Sequence, residues 1–273
     1  MSNVTLNGLN HYYEDGGTGQ PMIFLHGAFV DSHMWDPQIT YFSREYRVIR
    51  YDLRGHGRTG PSDQETYTID FFADDLICLV DILELEHPII CGLSLGGMIA
   101  QSYAVRAPNR LKALILSDTA VSVSLTLADK LQRYILFPLW AMKLTIRSMS
   151  ARNFTRFSFW LAQVTRSGDW FGRDEDTANY VRDCMLQMSD AEYEKIYDAI
   201  YGFTLLPLGR IHVPTLVLNG EFESKSVFRH TEEILRRVPN AEAGVVPGAG
   251  HTSSMENPGA FNALINDFLS RSV

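Results

Sequence analysis

The chain has 273 residues, of which 45% are hydrophobic and 21% charged, and a formal net charge of −8. That length can bury one large core or a core carrying an insertion, and the composition is ordinary for a soluble globular protein. The acidic balance argues against nucleic acid as a partner, because binding phosphates requires a basic surface. Cys78, Cys91 and Cys184 are odd in number and far apart, so they read as reduced residues and form no disulfide framework. No His-Glu-x-x-His pairing or cysteine–histidine cluster has metal-ligand spacing, so neither metal nor cofactor is expected.

The opening "MSNVTLNGLNHYYEDGG" lacks a basic start followed by an apolar core, and no run of 18 apolar residues occurs anywhere. Neither a secretory signal nor a membrane span is therefore expected, and the expected compartment is the cytoplasm. Asn7-Gly8 between "VTL" and "LNHYY" predicts a hairpin of two antiparallel strands. Buried-type strands then alternate with helical stretches: 22–27, 46–52, a helix over 69–85, a strand at 87–91 with its helix, and a strand at 111–118. After a gap the rhythm resumes with 214–220, a helix near His230–Arg237, a strand at 241–246 and a terminal helix from Pro258. Such alternation predicts an α/β fold with a mostly parallel sheet covered on both faces.

Residues 121–210 break the rhythm. They hold no convincing strand and turn helical, aromatic and locally basic. Lys130, Arg133, Lys143, Arg147, Arg152, Arg156 and Arg166 fall between Asp129 and Asp169 without one acidic side chain. We read 1–120 and 211–273 as the core and 121–210 as a helical insertion above the sheet.

"HPIICGLSLGGMIAQ", residues 87–101, runs an apolar strand into a serine flanked by glycines and then into a helix. A strand that turns this sharply crowds its apex. Gly92 and Gly96 remove the side chains that would collide there, and Gly97 lets the helix approach the sheet. Ser94 would then present its hydroxyl at the carboxyl edge of the sheet, beside the unpaired N–H groups of a helix start. Serine is a poor nucleophile alone and needs a base, an orienting acid and an oxyanion site. "VVPGAGHTSSMENP" offers His251 as the base, after the last strand. "VLNGEFESKS" offers Glu221 and Glu223 as the acid; Glu223 is favoured, Glu221 reads as loop-shaping, and Asp118 at the end of "ILSD" is the alternative acid. Oxyanion donors are expected from the backbone N–H of Leu95 and, in the "HGAF" turn, of Ala28, with His26 read as structural.

"FLHGAF", "YDLRGHGRTG", "CGLSLGGMIAQ", "PTLVLNGEFE" and "GAGHTSSMENP" resemble, in order and spacing, the motifs of the α/β-hydrolase fold family. The resemblance implies that fold, with residues 121–210 where the family carries its lid. It also implies Ser94 as nucleophile, His251 as base, and Ala28 and Leu95 as oxyanion donors. At the acid position the family most often has aspartate, and this chain has Glu223. Relatives that cleave carbon–halogen bonds or epoxides carry aspartate where this chain has Ser94, and halide binders place a polar or tryptophan donor where it has Ala28. "CGLSLGGMIAQ" is most similar to the 3-oxoadipate enol-lactonase and small carboxylesterase branch. The expected activity is that of a serine hydrolase, a carboxylesterase or lactonase working through an acyl-enzyme on a small-molecule substrate, a medium, largely apolar ester or lactone. Carbon–carbon bond hydrolysis, perhydrolysis and slow-turnover small-molecule reception are the alternatives. Phe29, Phe137, Trp140 and Trp160 are expected to line the substrate pocket, because ligand pockets are mostly apolar.

Overall fold

A computed structural model of the chain describes residues 2–136, 138–165 and 171–272. Strands β1 (Ser2–Leu6) and β2 (Leu9–Gly16) pair antiparallel across the Asn7-Gly8 turn. Both turn residues have positive φ, 43° and 81°, as a two-residue hairpin matched to strand twist requires. β3 (Pro21–Leu25), α1 (Asp36–Phe42), β4 (Arg47–Tyr51), α2 (Ile69–Ile82) and β5 (Ile89–Leu93) follow. β5 starts two residues later than the apolar pattern suggests, because His87 sits at φ 45° and Pro88 has no N–H to give a sheet ladder. Next come α3 (Leu95–Arg106) and β6 (Ala113–Ser117).

Between β6 and the next strand lie α4 (Leu127–Leu131), α5 (Leu139–Met149), α6 (Ala151–Thr165), α7 (Glu175–Gln187) and α8 (Asp190–Gly202). No strand interrupts them among the described residues. The sheet resumes with β7 (Thr215–Gly220), α9 (Lys225–Arg237) and β8 (Ala241–Val246), and the chain ends with α10 (Ser253–Glu256) and α11 (Pro258–Ser272).

The eight strands form one sheet in the order β1-β2-β4-β3-β5-β6-β7-β8. β2 runs antiparallel to β4, and every pairing from β4 to β8 is parallel. Alternate residues feed two cores. Ile23, Ile90 and Leu114 meet Leu76, Leu79 and Tyr103 of α2 and α3 on one face. Met22, Phe24, Cys91 and Ile115 meet Trp35, Phe42, Phe261 and Phe268 on the other. All five residues of β5 and of β6 are buried, as strands covered on both faces must be.

The inserted helices are anchored mainly through α8. Tyr193, Ile196 and Ala199 are fully buried there. The Glu192 carboxylate, also buried, accepts from the Tyr67 hydroxyl at 2.5 Å and from Lys195 Nζ at 2.8 Å, while Lys195 also donates to the Ser62 carbonyl. Tyr193 Oη and Thr155 Oγ1 lie 2.7 Å apart, joining α8 to α6, and the Tyr180 hydroxyl of α7 donates to Asp31 at 2.6 Å. Among the described residues, no helix is long and apolar enough to cross a membrane.

Candidate active site

Ser94 occupies the single residue between β5 and α3, at φ 52° and ψ −110°, a conformation that costs a non-glycine residue on the order of 1–3 kcal/mol. Close backbone contact holds it there. A Cβ on Gly92 would lie 2.4 Å from the Gly96 carbonyl carbon, and one on Gly96 would lie 2.2 Å from the Leu25 carbonyl oxygen. Neither position accepts a side chain. Gly97 likewise faces Thr119, whose Cβ would stand 2.6 Å away. The Ser94 N–H donates to the Ser117 carbonyl at 2.9 Å, and the Thr119 hydroxyl donates to the Ser94 carbonyl at 2.7 Å. The turn is thus tied to the carboxyl end of β6, with Ser94 half-buried and the first N–H groups of α3 lacking intrahelical acceptors.

The turn after β3 passes directly beside it. A Cβ on Gly27 would sit 3.7 Å from the Ser94 Cβ. His26 is fully buried, and burial pulls its pKa down to about 4, so the ring is neutral. Its Nε2 accepts from the Leu53 N–H at 2.9 Å, which leaves the proton on Nδ1 to donate to the Gly27 carbonyl at 2.7 Å. The Gly27 carbonyl and the Ala28 N–H belong to one trans peptide and point in opposite directions. Holding the carbonyl back therefore aims the Ala28 N–H away from the ring. Sequence reasoning gave His26 only a structural role; its neighbour Gly27 was the available signal.

At the far side of the sheet edge, His251 Nδ1 lies 2.5 Å from Glu223 Oε2, both groups buried. The other Glu223 oxygen accepts from the Ser224 N–H at 2.5 Å. Burial works against both charges, yet the partnership overrides it: Glu223 is held below the usual carboxylate range and His251 above the ordinary imidazole value. The two loops are fastened to each other. A Cβ on Gly220 would meet the Gly250 carbonyl oxygen at 2.1 Å, the Phe222 N–H donates to Ala249, and Glu221 accepts from the Gly248 N–H at 2.8 Å. Glu221 is the loop-shaping carboxylate. Glu256, absent from the sequence reading, receives the Gly250 N–H and the Thr252 hydroxyl on either side of His251.

Asp118 does not bond the imidazole. Its carboxylate accepts from Ser253 Oγ at 2.5 Å, from Ser117 Oγ at 2.8 Å and from the Gly220 N–H at 2.8 Å, linking the ends of β6 and β7 to the segment after His251. Burial raises its pKa to about 7; the nearby His251 opposes that rise and Glu223 adds to it.

Phe29, at φ 65°, stacks on Tyr193 with ring centroids 4.6 Å apart. It lines a cavity of about 190 Å³ together with Val30, Met188 and the polar Asp31, Gln187 and Glu192. Ser94 and His251 are not among the residues lining that cavity; Phe29, which is, directly follows Ala28 in the chain. Trp140 and Trp160 stand 70% and 55% exposed on α5 and α6. Phe137 lies outside the described residues. Among those described, no group of three or more His, Cys, Asp or Glu side chains is placed to hold a metal ion.

The sequence profile of the alpha/beta hydrolase fold matches residues 20–258. A 3-oxoadipate enol-lactonase of Acinetobacter baylyi is 28% identical over 96% of this chain and 93% of its own. Of solved structures, an esterase of Thermogutta terrifontis is 25% identical, covers 99% of both chains and superposes with a TM-score of 0.82. An enol-lactonase of Burkholderia xenovorans, at 23% identity, shares the fold with a TM-score of 0.83, covering 98% of this chain and all of its own.

Proposed function

The chain belongs to the α/β-hydrolase fold family, and from that premise we propose that it hydrolyses a carboxylic ester or lactone by acyl transfer through Ser94. The observation that carries the reading is the buried 2.5 Å bond between His251 and Glu223, at the same sheet edge as the Ser94 turn. Relatives named as an enol-lactonase and an esterase support the substrate class.

In this reaction His251 Nε2 takes the Ser94 proton as the hydroxyl oxygen attacks the carbonyl carbon. Glu223 accepts the Nδ1 proton, fixes the tautomer and stabilises the imidazolium. The N–H groups of Ala28 and Leu95 hold the oxyanion, the first aimed by the His26–Gly27 bond. Collapse expels the alcohol, which takes the proton from His251 and leaves an acyl-enzyme. Water, deprotonated by the same imidazole, then releases the acid and restores Ser94. In a lactone the alcohol and the acyl group stay on one molecule. Asp118 is a positioning residue here, because it touches the loops that carry the acid and the base but neither reacting atom. Residues 121–210 act as the cap, and the Phe29–Tyr193 stack joins it to the oxyanion turn.

A fluorophosphonate probe tests the assignment. It should add one group, peptide mapping should find that group on Ser94, and Ser94→Ala should remain unlabelled. Labelling that survives in Ser94→Ala removes the proposal.

A further inference from the structure

Large apolar side chains are exposed very unevenly over this molecule. Among the described residues sixteen stand exposed, and ten of them fall between Leu127 and Val164. α6 shows the pattern most clearly. Phe157, Trp160, Leu161 and Val164 follow one another at helical spacing and are 42–62% exposed, while Thr155 and Ala162 of the same helix are buried. Trp140 and Leu144 form a second exposed row on α5, which packs against α6, and Leu127 and Leu131 of α4 with Tyr134 and Ile135 just after it are exposed as well. A helix of a soluble protein normally turns one apolar stripe inward, and α6 carries a second stripe outward.

The charge on this segment has one sign. Residues 130–165 contain Lys130, Arg133, Lys143, Arg147, Arg152 and Arg156 and no acidic side chain, so the rest of the chain carries the whole acidic excess. Lys143 and Arg147 are paired with Asp198 and Glu194 of α8. Lys130, Arg152 and Arg156 stand exposed beside the apolar rows.

From this juxtaposition we propose that the outer face of α4–α6 docks the protein peripherally on an anionic phospholipid surface. Exposed tryptophan, tyrosine, phenylalanine and leucine interleaved with arginine and lysine are the side chains that settle at a bilayer interface, the apolar groups among the acyl chains and the cations against headgroups. A second copy of the chain fits less well. A two-fold contact through this face would set Arg152 and Arg156 against their own copies, and the carboxylate of α4, Asp129, is already engaged by Arg229 and the Thr126 N–H. An anionic bilayer supplies the missing charge, and repulsion of the acidic remainder would orient the molecule with α4–α6 toward the lipid.

The test uses the full chain with vesicles of phosphatidylcholine alone and of phosphatidylcholine with phosphatidylglycerol. The chain should sediment with the anionic vesicles at low salt, more weakly at high salt, and least with the neutral ones. Among the described residues Trp140 and Trp160 are exposed and Trp35 is fully buried, so in a Trp170→Phe background, used for every fluorescence measurement, binding should shift the tryptophan emission to the blue. The double variant Trp140→Phe/Trp160→Phe should still sediment while losing most of that shift. Arg152→Gln with Arg156→Gln should weaken anionic-vesicle binding about thirtyfold, at roughly a fivefold loss per cation. Circular dichroism of each variant guards against misfolding. Three results would overturn the proposal: no sedimentation with anionic vesicles at low salt, binding unchanged in the arginine variant, or a lipid-free dimer in which both tryptophans are shielded from iodide quenching.

Discussion

Around Ser94 the decisive contacts are between backbones, whereas the helices inserted between β6 and β7 meet much of their surroundings through long side chains. Gly96 lies against the Leu25 carbonyl and Gly220 against the Gly250 carbonyl, at separations no Cβ could enter. The turns that carry Ser94, Glu223 and His251 are therefore held by main chain that cannot yield without shifting the sheet. In the inserted segment, α5 is tied to α8 by Lys143–Asp198 and by Arg147–Glu194, and in the second pair Arg147 is 66% exposed, so solvent screens it. The molecule concentrates its rigidity where the proposed acyl transfer would need it and leaves the inserted side more adjustable.

That contrast breaks most readily at the acid. Glu223→Gln keeps the shape and removes the charge, and should lower kcat on the order of 10³- to 10⁴-fold. Asp118→Asn should cost far less, because Asp118 holds the loops and leaves the imidazole to Glu223. Steady-state kinetics of the pair decides; a crippled Asp118→Asn beside a mild Glu223→Gln moves the acid one strand earlier. Next in size is His26→Ala. With the Gly27 carbonyl released, one oxyanion donor is no longer aimed, and kcat should fall on the order of 10²-fold with KM little altered. A change confined to KM would return His26 to a purely structural role.

The adjustable side should answer more gently. Lengthening the acyl group of a test ester from acetate to octanoate should raise kcat/KM by more than tenfold, since two methylenes buried against Phe29 or Met188, at ~0.8 kcal/mol each, already suffice for that. A flat or falling series would mean that Asp31, Gln187 and Glu192, which line the same cavity, select a polar substrate. The smallest effect is a displacement on the pH axis. His251 must be neutral to act, and its carboxylate neighbours hold its pKa above the ordinary value. The proton consequently stays on to higher pH, and the acid limb of kcat/KM should have its midpoint above ~6.5. In Glu223→Gln the limb should move to lower pH; an unmoved limb would show that another group governs it.

The strand–helix alternation was legible because parallel strands buried on both faces write continuous apolar runs; β6 and β7 fall within the runs that predicted them, and β5 is displaced two residues from its run. The turn at Ser94 was legible because only glycine fits where backbones touch. Asp118 was harder. Its part depends on Ser253 and Gly220, more than a hundred residues away, and no local pattern links them. His26 was read as inert because the use of its ring lies in which nitrogen Leu53 leaves free to donate. In 121–210 helical spacing revealed helices but not their outward side: the apolar rows of α6 look inward by composition, and Trp160 is more than half exposed.

Glu192 has a consequence for traffic. Swinging α8 away from the sheet would break its bonds to Tyr67 and uncover Tyr193 and Ile196, costing several kcal/mol before any substrate moved. Of the large apolar side chains described on α4–α6 only Ile146 is fully buried, so shifting those helices should uncover less. Breathing of the inserted segment is therefore one-sided, with α8 as the fixed jamb and α4–α6 as the leaf. With 121–210 as the proposed cap, a substrate bound for Ser94 would enter past that leaf.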